Sequence, residues 1–127
     1  RANWIVVDAT GIGAGLASFL QASLRRTAIR VVPFTFTASS KSQLGWDFVG
    51  LIETGRYKEY AEDGDALTGE FRDQLAATEY AVRSGPGNSI QWGVPASAGH
   101  DDLVLSAALV AALDELDPRP RIAVGTM

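Results

Sequence analysis

Residues 99–106 read GHDDLVLS, and this stretch joins two adjacent carboxylates to the start of a long apolar segment. Asp101 or Asp102 suits the N-terminus of a helix, where a carboxylate accepts hydrogen bonds from backbone N–H groups and faces the positive end of the helix dipole. A third acid, Asp8, closes an apolar strand-like run at residues 4–8. Acids at a strand end and at a helix start can converge in an α/β fold, and converging carboxylates bind hard divalent cations. The stretch therefore has two interpretations, a helix cap and half of a metal site.

The composition indicates one globular domain. The chain has 127 residues, of which 46% are hydrophobic and 20% charged, enough for a core of its own. The net charge of -4 does not indicate nucleic-acid binding, although it leaves room for a local basic patch. The absence of cysteine excludes disulfides and thiolate zinc sites. No apolar run approaches the ~20 residues of a membrane span, so we expect no contact with a membrane.

The first third of the sequence predicts a strand, a helix and a second strand. Residues 3–8 are apolar and β-branched, and residues 29–34 repeat that character up to Pro33, which we expect to end the second strand. Between them, a helix over about 14–26 places apolar side chains on one face at helical spacing: Leu16, Phe19, Leu20 and Leu24. A strand, helix and strand of this length predict a parallel pair with a right-handed crossover.

Gly11, Gly13 and Gly15 form a glycine-rich turn between the first strand and the first helix. A strand, a glycine loop and a helix in this order can hold a phosphate at the helix N-terminus. The turn lacks the Gly-Lys-Ser/Thr of a Walker loop and matches only part of the dinucleotide-binding pattern. Close packing of the helix against the strand explains the glycines more simply, and nucleotide binding is the weaker alternative.

A second helix is predicted over about 40–54, with Ser39 or Ser40 as its N-cap and Gly55 at its end. Lys41 stands in the first turn, where the helix dipole disfavours a cation. This lysine is therefore either solvated or compensated by an anion.

The remaining residues predict two helices and a strand. Residues 66–82 form an amphipathic helix, and residues 89–94 form a strand at an edge or in a hairpin. The last helix, over about 101–116, is apolar almost all round, which is typical of a buried helix, and it places the acid pair at the start of a rigid element. Residues 117–127 are expected to be a flexible tail of the single domain 1–127.

Five short motifs, taken in order, resemble one known family. They are VVDATGIG (residues 6–13), PFTF (33–36), Ser40-Lys41 followed by Leu44, LIETGR (51–56) and GHDDLV (99–104). Together they resemble the nuclease domain of the large terminase subunit of tailed bacteriophages and prophages, over about residues 3–116. The resemblance implies the three-layer, RNase H-like α/β fold that this domain shares with RuvC resolvases and integrases, with a mostly parallel sheet between helices.

The family cuts concatemeric viral DNA during packaging and needs divalent metal ions. The resemblance implies that Asp8 and one of Asp101 and Asp102 bind Mg²⁺ or Mn²⁺, and it leaves open which of the two adjacent acids does so. Lys41 matches a basic position expected near the scissile phosphate. His100 is expected either to act beside the metal ligands or to steady the loop. In the complete domain, two metal ions about 3.5–4 Å apart would activate water and stabilise the leaving oxygen.

The same resemblance implies that this chain is incomplete. In the family, the first catalytic acid lies on a three-stranded meander that precedes the strand ending at Asp8, and the ATPase domain lies further upstream. We therefore expect the C-terminal part of a terminase-type nuclease domain, with its first strands missing and little or no activity by itself. Crowded carboxylates without a metal repel one another, so at least one of them should have a raised pKa.

The partners that the resemblance implies are double-stranded DNA, the ATPase domain of the same subunit, the small terminase and the portal, all in the cytoplasm of a bacterial host. Exposed strand edges would also favour homo-oligomers. Two other classes of function stay open. One is a catalytically inactive α/β module for assembly or DNA docking, and the other is a nucleotide-binding protein that uses the turn at residues 11–15.

Overall fold

The computed structural model describes residues 2–59, 64–114 and 116. The described residues contain both helices and small sheets, which confirms a mixed α/β fold. The elements are β1 (Trp4–Asp8), α1 (Gly13–Leu24), β2 (Arg30–Phe34), α2 (Ala38–Glu53), α3 (Ala66–Ala77), β3 (Glu79–Val82), β4 (Ile90–Gly93), α4 (Asp102–Ala108) and a 3-10 helix (Leu109–Leu113).

The first two strands form the predicted parallel pair. β1 and β2 run in register from Trp4 opposite Arg30 to Asp8 opposite Phe34, and α1 connects them. Pro33 was predicted to end β2 but lies inside it, opposite Val7. Within the described ranges β2 has a neighbour on only one side, and such an edge strand tolerates a residue without an N–H.

The second pair of strands corrects the predicted helix at 66–82. That helix, α3, ends at Ala77, and the chain continues as β3. β3 pairs antiparallel with β4, because Tyr80 and Val82 are better strand formers than helix formers and find a partner strand there. The strand expected at residues 89–94 is confirmed as β4, and of the two positions left open for it, an edge or a hairpin, it lies in the hairpin with β3. In the described part of the chain the two pairs are separate sheets, so the single mostly parallel sheet is not observed.

The core lies between α2, β4, α4 and the 3-10 helix. Its buried apolar side chains are Leu44, Phe48, Leu51, Ile90, Trp92, Val104, Ala108, Leu109 and Ala111. The predicted burial of the last helix is confirmed, although its α-helical part covers only Asp102–Ala108 and the chain then tightens into the 3-10 helix. Such tightening is common at the C-terminal end of a helix.

The predicted apolar face of α1 is largely exposed. The buried residue of α1 is Ala17, whereas Leu16 and Phe19 are 54% and 66% exposed. Within the described residues, these two side chains therefore lie outside the core. α1 packs on the two strands β1 and β2, and a sheet only two strands wide covers part of an apolar helix face.

α2 starts earlier than predicted. Thr37 is its N-cap: the Thr37 hydroxyl accepts a hydrogen bond from the Ser40 N–H at 3.0 Å, and Ser40 Oγ accepts one from the Thr37 N–H at 2.8 Å. This capping box satisfies two backbone donors at once. The predicted cap at Ser39 or Ser40 is thus wrong, while Lys41 does fall in the first turn.

The expected tail at residues 117–127 lies outside the described residues. No described helix is both long enough and apolar enough to cross a lipid bilayer.

Candidate active site

A cleft of about 710 Å³ lies between the end of β1, α1 and the start of α4. Four predicted site residues line it: Asp8, Lys41, Asp101 and Asp102. Much of the remaining wall is apolar and comes from β1, α1 and α4. We call this space the acidic cleft. Residues far apart in the sequence therefore line one cleft, and whether Asp8 and the acid pair share a cation there stays a prediction.

Asp8 enters the cleft from the last position of β1, where its side chain is exposed. Its Oδ1 accepts a hydrogen bond from the Thr10 N–H at 2.8 Å, the local turn that aspartate forms with the backbone two residues on. The Thr10 hydroxyl in turn accepts from the Phe36 N–H at 2.9 Å. These bonds tie the carboxylate to the segment after β2, which leads into α2.

Gly13 explains why the turn after Asp8 is rich in glycine. A Cβ at Gly13 would collide with the Asp8 carbonyl oxygen and lie 3.2 Å from its carbonyl carbon. Only glycine lets α1 start this close to the strand. The packing interpretation of the turn is therefore confirmed at this position.

Lys41 enters the same cleft from α2 and is held on two sides. Its ammonium Nζ lies 3.9 Å from Asp101 Oδ2 and 5.5 Å from the centre of the Trp92 ring, a cation–π distance. The Trp92 indole N–H donates a hydrogen bond to the Lys41 carbonyl oxygen at 2.6 Å. The cation at the unfavourable end of α2 is thus compensated, and Asp101 is the compensating anion.

Asp101 occupies the N-cap position of α4, yet its side chain makes no capping hydrogen bond. The helix-cap interpretation is therefore wrong for this residue. Its Oδ2 approaches Gly93 so closely that a Cβ there would be 2.8 Å away, and Gly93 has a φ of +146°. The glycine leaves the space in which the carboxylate reaches toward Lys41.

Gln74, on α3, caps α4 instead. Its side-chain oxygen accepts hydrogen bonds from the Leu103 and Val104 N–H groups at 2.9 and 3.2 Å, and its amide nitrogen donates to Asp102 Oδ1 at 2.8 Å. Gln74 is only 6% exposed. One buried amide therefore satisfies the helix start and holds the second carboxylate, so neither acid has to act as the cap.

Asp102 has a pKa below its ordinary value of 3.8. The largest cause is the hydrogen bond from Gln74, and partial desolvation opposes it; the Leu103 N–H and the nearby His100 lower the pKa further. Hydrogen bonds to the charged form stabilise that form. Asp102 is therefore not the carboxyl whose pKa crowding was expected to raise.

His100 precedes the acid pair in the chain but is exposed and is not among the residues that line the acidic cleft. Its charge lies close enough to Asp102 to favour the ionised carboxylate. The geometry places it beside the cleft, and its role in the chemistry stays a prediction.

Carboxylates that share a cleft supply the oxygen ligands that Mg²⁺ and Mn²⁺ prefer. Among the described residues, however, no group of three or more Asp, Glu, His or Cys side chains is arranged to hold a metal ion. The carboxylate set in this cleft comprises Asp8, Asp101 and Asp102, and its binding of a divalent ion stays a prediction. It does not provide a complete two-metal site.

Gln74, Trp92 and Gly93 position the candidate site, and the sequence analysis did not identify any of them. Gln74 carried one usable signal, a polar residue on the apolar side of an amphipathic helix. Trp92 and Gly93 act through contacts with Lys41 and Asp101, which lie far away in the sequence. No local pattern reports such contacts.

Comparison with protein-family models, with curated proteins and with solved structures gives no match to this chain. The fold is therefore described as mixed α/β, and the relation to terminase nucleases stays a proposal.

Proposed function

We propose that this chain is part of a divalent-metal-dependent endonuclease domain that hydrolyses phosphodiester bonds in DNA. One observation carries the proposal: Asp101 stands at a helix start without capping it and shares a cleft with Asp8 and Lys41. Two carboxylates and a cation in one cleft match what phosphodiester hydrolysis requires, namely ligands for a hard cation and a positive group for a phosphate.

In the proposed reaction, water loses a proton to solvent as its oxygen bonds to phosphorus, and the bond from phosphorus to the 3′ oxygen breaks. The 3′ oxygen takes up a proton from solvent and leaves as a hydroxyl group. Asp8 and Asp101 would hold Mg²⁺ or Mn²⁺, and the bound ion would supply the Lewis acidity of the site. Lys41 neutralises a phosphate oxygen. We assign the metal to Asp101 rather than Asp102, since one oxygen of Asp102 is bonded to Gln74.

The finer identification is also a proposal. We infer the C-terminal portion of the nuclease domain of a phage or prophage large terminase subunit, of RNase H-like fold, that acts on double-stranded DNA in the host cytoplasm with its ATPase domain, the small terminase and the portal. The support is the order of the five sequence motifs and the meeting of Asp8, Lys41 and the acid pair in one cleft.

A second candidate is an inactive module for assembly. The observations that favour it are the exposed Ile12, Leu16 and Phe19 on and beside α1, and strand edges without a neighbour within the described ranges. These surfaces would support homo-oligomers through strand pairing. For nucleotide binding we find no comparable support, because the contact of Gly13 with Asp8 already explains that glycine.

A metal titration tests the first candidate. Mn²⁺ at about ten times its dissociation constant should stabilise the protein by about 1.4 kcal/mol, a shift of a few degrees in the melting temperature. Asp8→Asn and Asp101→Asn should abolish the shift, while Asp102→Asn keeps most of it. Asp73→Asn, on the exposed surface of α3, is the control. Equal shifts in all four variants would contradict the assignment.

Cleavage is measured separately with supercoiled plasmid. We expect weak nicking or none from this chain, and Asp8→Asn should remove whatever nicking there is. Nicking that survives unchanged in both Asp8→Asn and Asp101→Asn would count against a role for this cleft.

A further inference from the structure

A second depression, of about 640 Å³, lies between the first turn of α2 and the β3–β4 hairpin. We call it the hairpin groove. Lys41 and Phe36 line both the groove and the acidic cleft, so the two spaces adjoin at these residues. Whatever occupies the cleft can therefore continue into the groove.

The charges on the two sides of Lys41 differ in sign. Three aspartates line the acidic cleft, whereas no carboxylate is among the residues that line the hairpin groove, whose charged residues are Lys41 and Arg83. This contrast occurs in a chain of net charge -4. The groove is thus locally positive and favours a polyanion.

The guanidinium group of Arg83 is held in place at the groove by a hydrogen bond. Its guanidinium Nη2 donates a hydrogen bond to Gln91 Oε1 at 2.8 Å, and Gln91 also lines the groove. The bond joins the residue that follows β3 to β4 and fixes the cation over the hairpin. Arg83 and Lys41 therefore offer two positive charges to one extended ligand in the groove.

Trp46 adds an aromatic surface to the same groove. Its side chain is 43% exposed, and its indole N–H donates to the Asn88 carbonyl oxygen at 3.0 Å, which orients the ring against the hairpin turn. An exposed, oriented indole beside cations is the combination that binds unpaired bases by stacking while the cations bind phosphates. A base inside a duplex cannot stack on it.

We propose that the hairpin groove binds single-stranded nucleic acid, with phosphates at Lys41 and Arg83 and a base on Trp46. The inference rests on the proposed function, because the strand in the groove is the continuation of the strand whose phosphate lies in the acidic cleft. It adds that a duplex must be opened locally beside the cut.

The test is fluorescence anisotropy with a labelled oligothymidylate of about 12 nucleotides in EDTA, so that neither metal nor cleavage takes part. The unmodified chain should bind it, with affinity falling between about 50 and 200 mM salt. Trp46→Ala should weaken binding by about 5- to 150-fold, and Trp46→Phe should restore much of it. Tyr80→Ala, which removes a more exposed aromatic (70% against 43% for Trp46) outside the groove, should leave it unchanged.

Arg83 is tested through the salt dependence. Arg83→Gln should reduce the slope of log affinity against log salt by about 0.7, and Arg83→Lys should keep the slope. Arg26→Gln removes the same charge after α1, outside the groove, and should not change the slope. Melting curves of every variant confirm that each is folded.

Three results would overturn the inference: no binding of the oligonucleotide, equal losses in Trp46→Ala and Tyr80→Ala, or equally tight binding of a duplex that does not depend on Trp46. None of them touches the Mn²⁺-dependent stabilisation assigned to Asp8 and Asp101. The converse outcome is that the variants change oligonucleotide binding as expected while Mn²⁺ gives no stabilisation. That result would contradict the proposed nuclease function and support a nucleic-acid docking module.

Discussion

The two halves of this molecule are packed very differently. The unit β1–α1–β2 contributes two buried apolar residues, Val7 and Ala17, whereas the whole core cluster comes from α2, β4, α4 and the 3-10 helix. Asp8 belongs to the first half, and Lys41 and Asp101 to the second. The acidic cleft therefore lies where a loosely packed unit meets a well-packed one, and its geometry depends on how firmly the first is held against the second.

The largest contrast should appear between two phenylalanines. Phe48 is 4% exposed and packs edge-to-face on Tyr57 at 5.2 Å, while Phe19 is 66% exposed. Phe48→Ala should lower the free energy of unfolding by about 3–5 kcal/mol, since it leaves a cavity in the core. Phe19→Ala should change it by less than about 0.5 kcal/mol.

Urea unfolding followed by circular dichroism measures both. A large decrease in the free energy of unfolding of Phe19→Ala would contradict the looser packing of α1. It would mean that another surface, outside the described residues, covers α1 in solution.

A glycine pair on α2 sharpens the contrast at intermediate magnitude. A Cβ at Gly45 would meet the Trp92 ring, 2.7 Å from Cδ1 and 2.9 Å from Cε2. Gly45→Ala gains about 1 kcal/mol of helix propensity but overpacks the core at about 1–3 kcal/mol and strains the hydrogen bond from Trp92 to Lys41. We expect a net loss of up to about 2 kcal/mol, measured by thermal unfolding.

The control is Gly50→Ala on the same helix, where a Cβ would meet nothing within 4 Å. That substitution should stabilise the protein by up to about 1 kcal/mol. If Gly45→Ala also stabilises the protein, the Trp92 ring moves aside more easily than a core side chain should. Trp92 would then not fix the position of Lys41.

The smallest expected effect is a pH dependence at the start of α4. Because the pKa of Asp102 is lowered in the folded chain, its ionised form stabilises the fold at pH values above 3.8, and this contribution is lost as the pH falls through the lower folded pKa. In metal-free protein, Asp102→Asn should flatten the fall in melting temperature below pH 3.8 and change little at pH 7.

Gln74→Leu separates this charge effect from helix capping. It should flatten the same acid limb and, in addition, lower stability at every pH by about 1–3 kcal/mol, because the Leu103 and Val104 N–H groups lose their acceptor. An acid limb that stays equally steep in Asp102→Asn would contradict the role given to this carboxylate.

The local patterns of the sequence predicted the parallel strands, a strand at residues 89–94 and the burial of the last helix. They failed where a distant partner decides the outcome. Tyr80 and Val82 fit a helical pattern but pair with β4, and Leu16 and Phe19 fit an apolar face but meet only a narrow sheet. No local pattern predicted that Asp8 and Asp101 would line one cleft; that expectation came from the topology of α/β folds. Gln74 and Gly93 were missed because their contacts with the site come from distant parts of the sequence.

Trp92 gives the candidate site an optical signal of its own. The Lys41 ammonium lies over the face of the Trp92 indole, and the indole N–H donates a hydrogen bond to the Lys41 carbonyl oxygen. The chain contains two other tryptophans, Trp4 and Trp46. With those two replaced by phenylalanine, emission comes from a single buried fluorophore beside Lys41. Ligand binding in the cleft can then be followed as a change in the wavelength or intensity of tryptophan emission, without an attached dye.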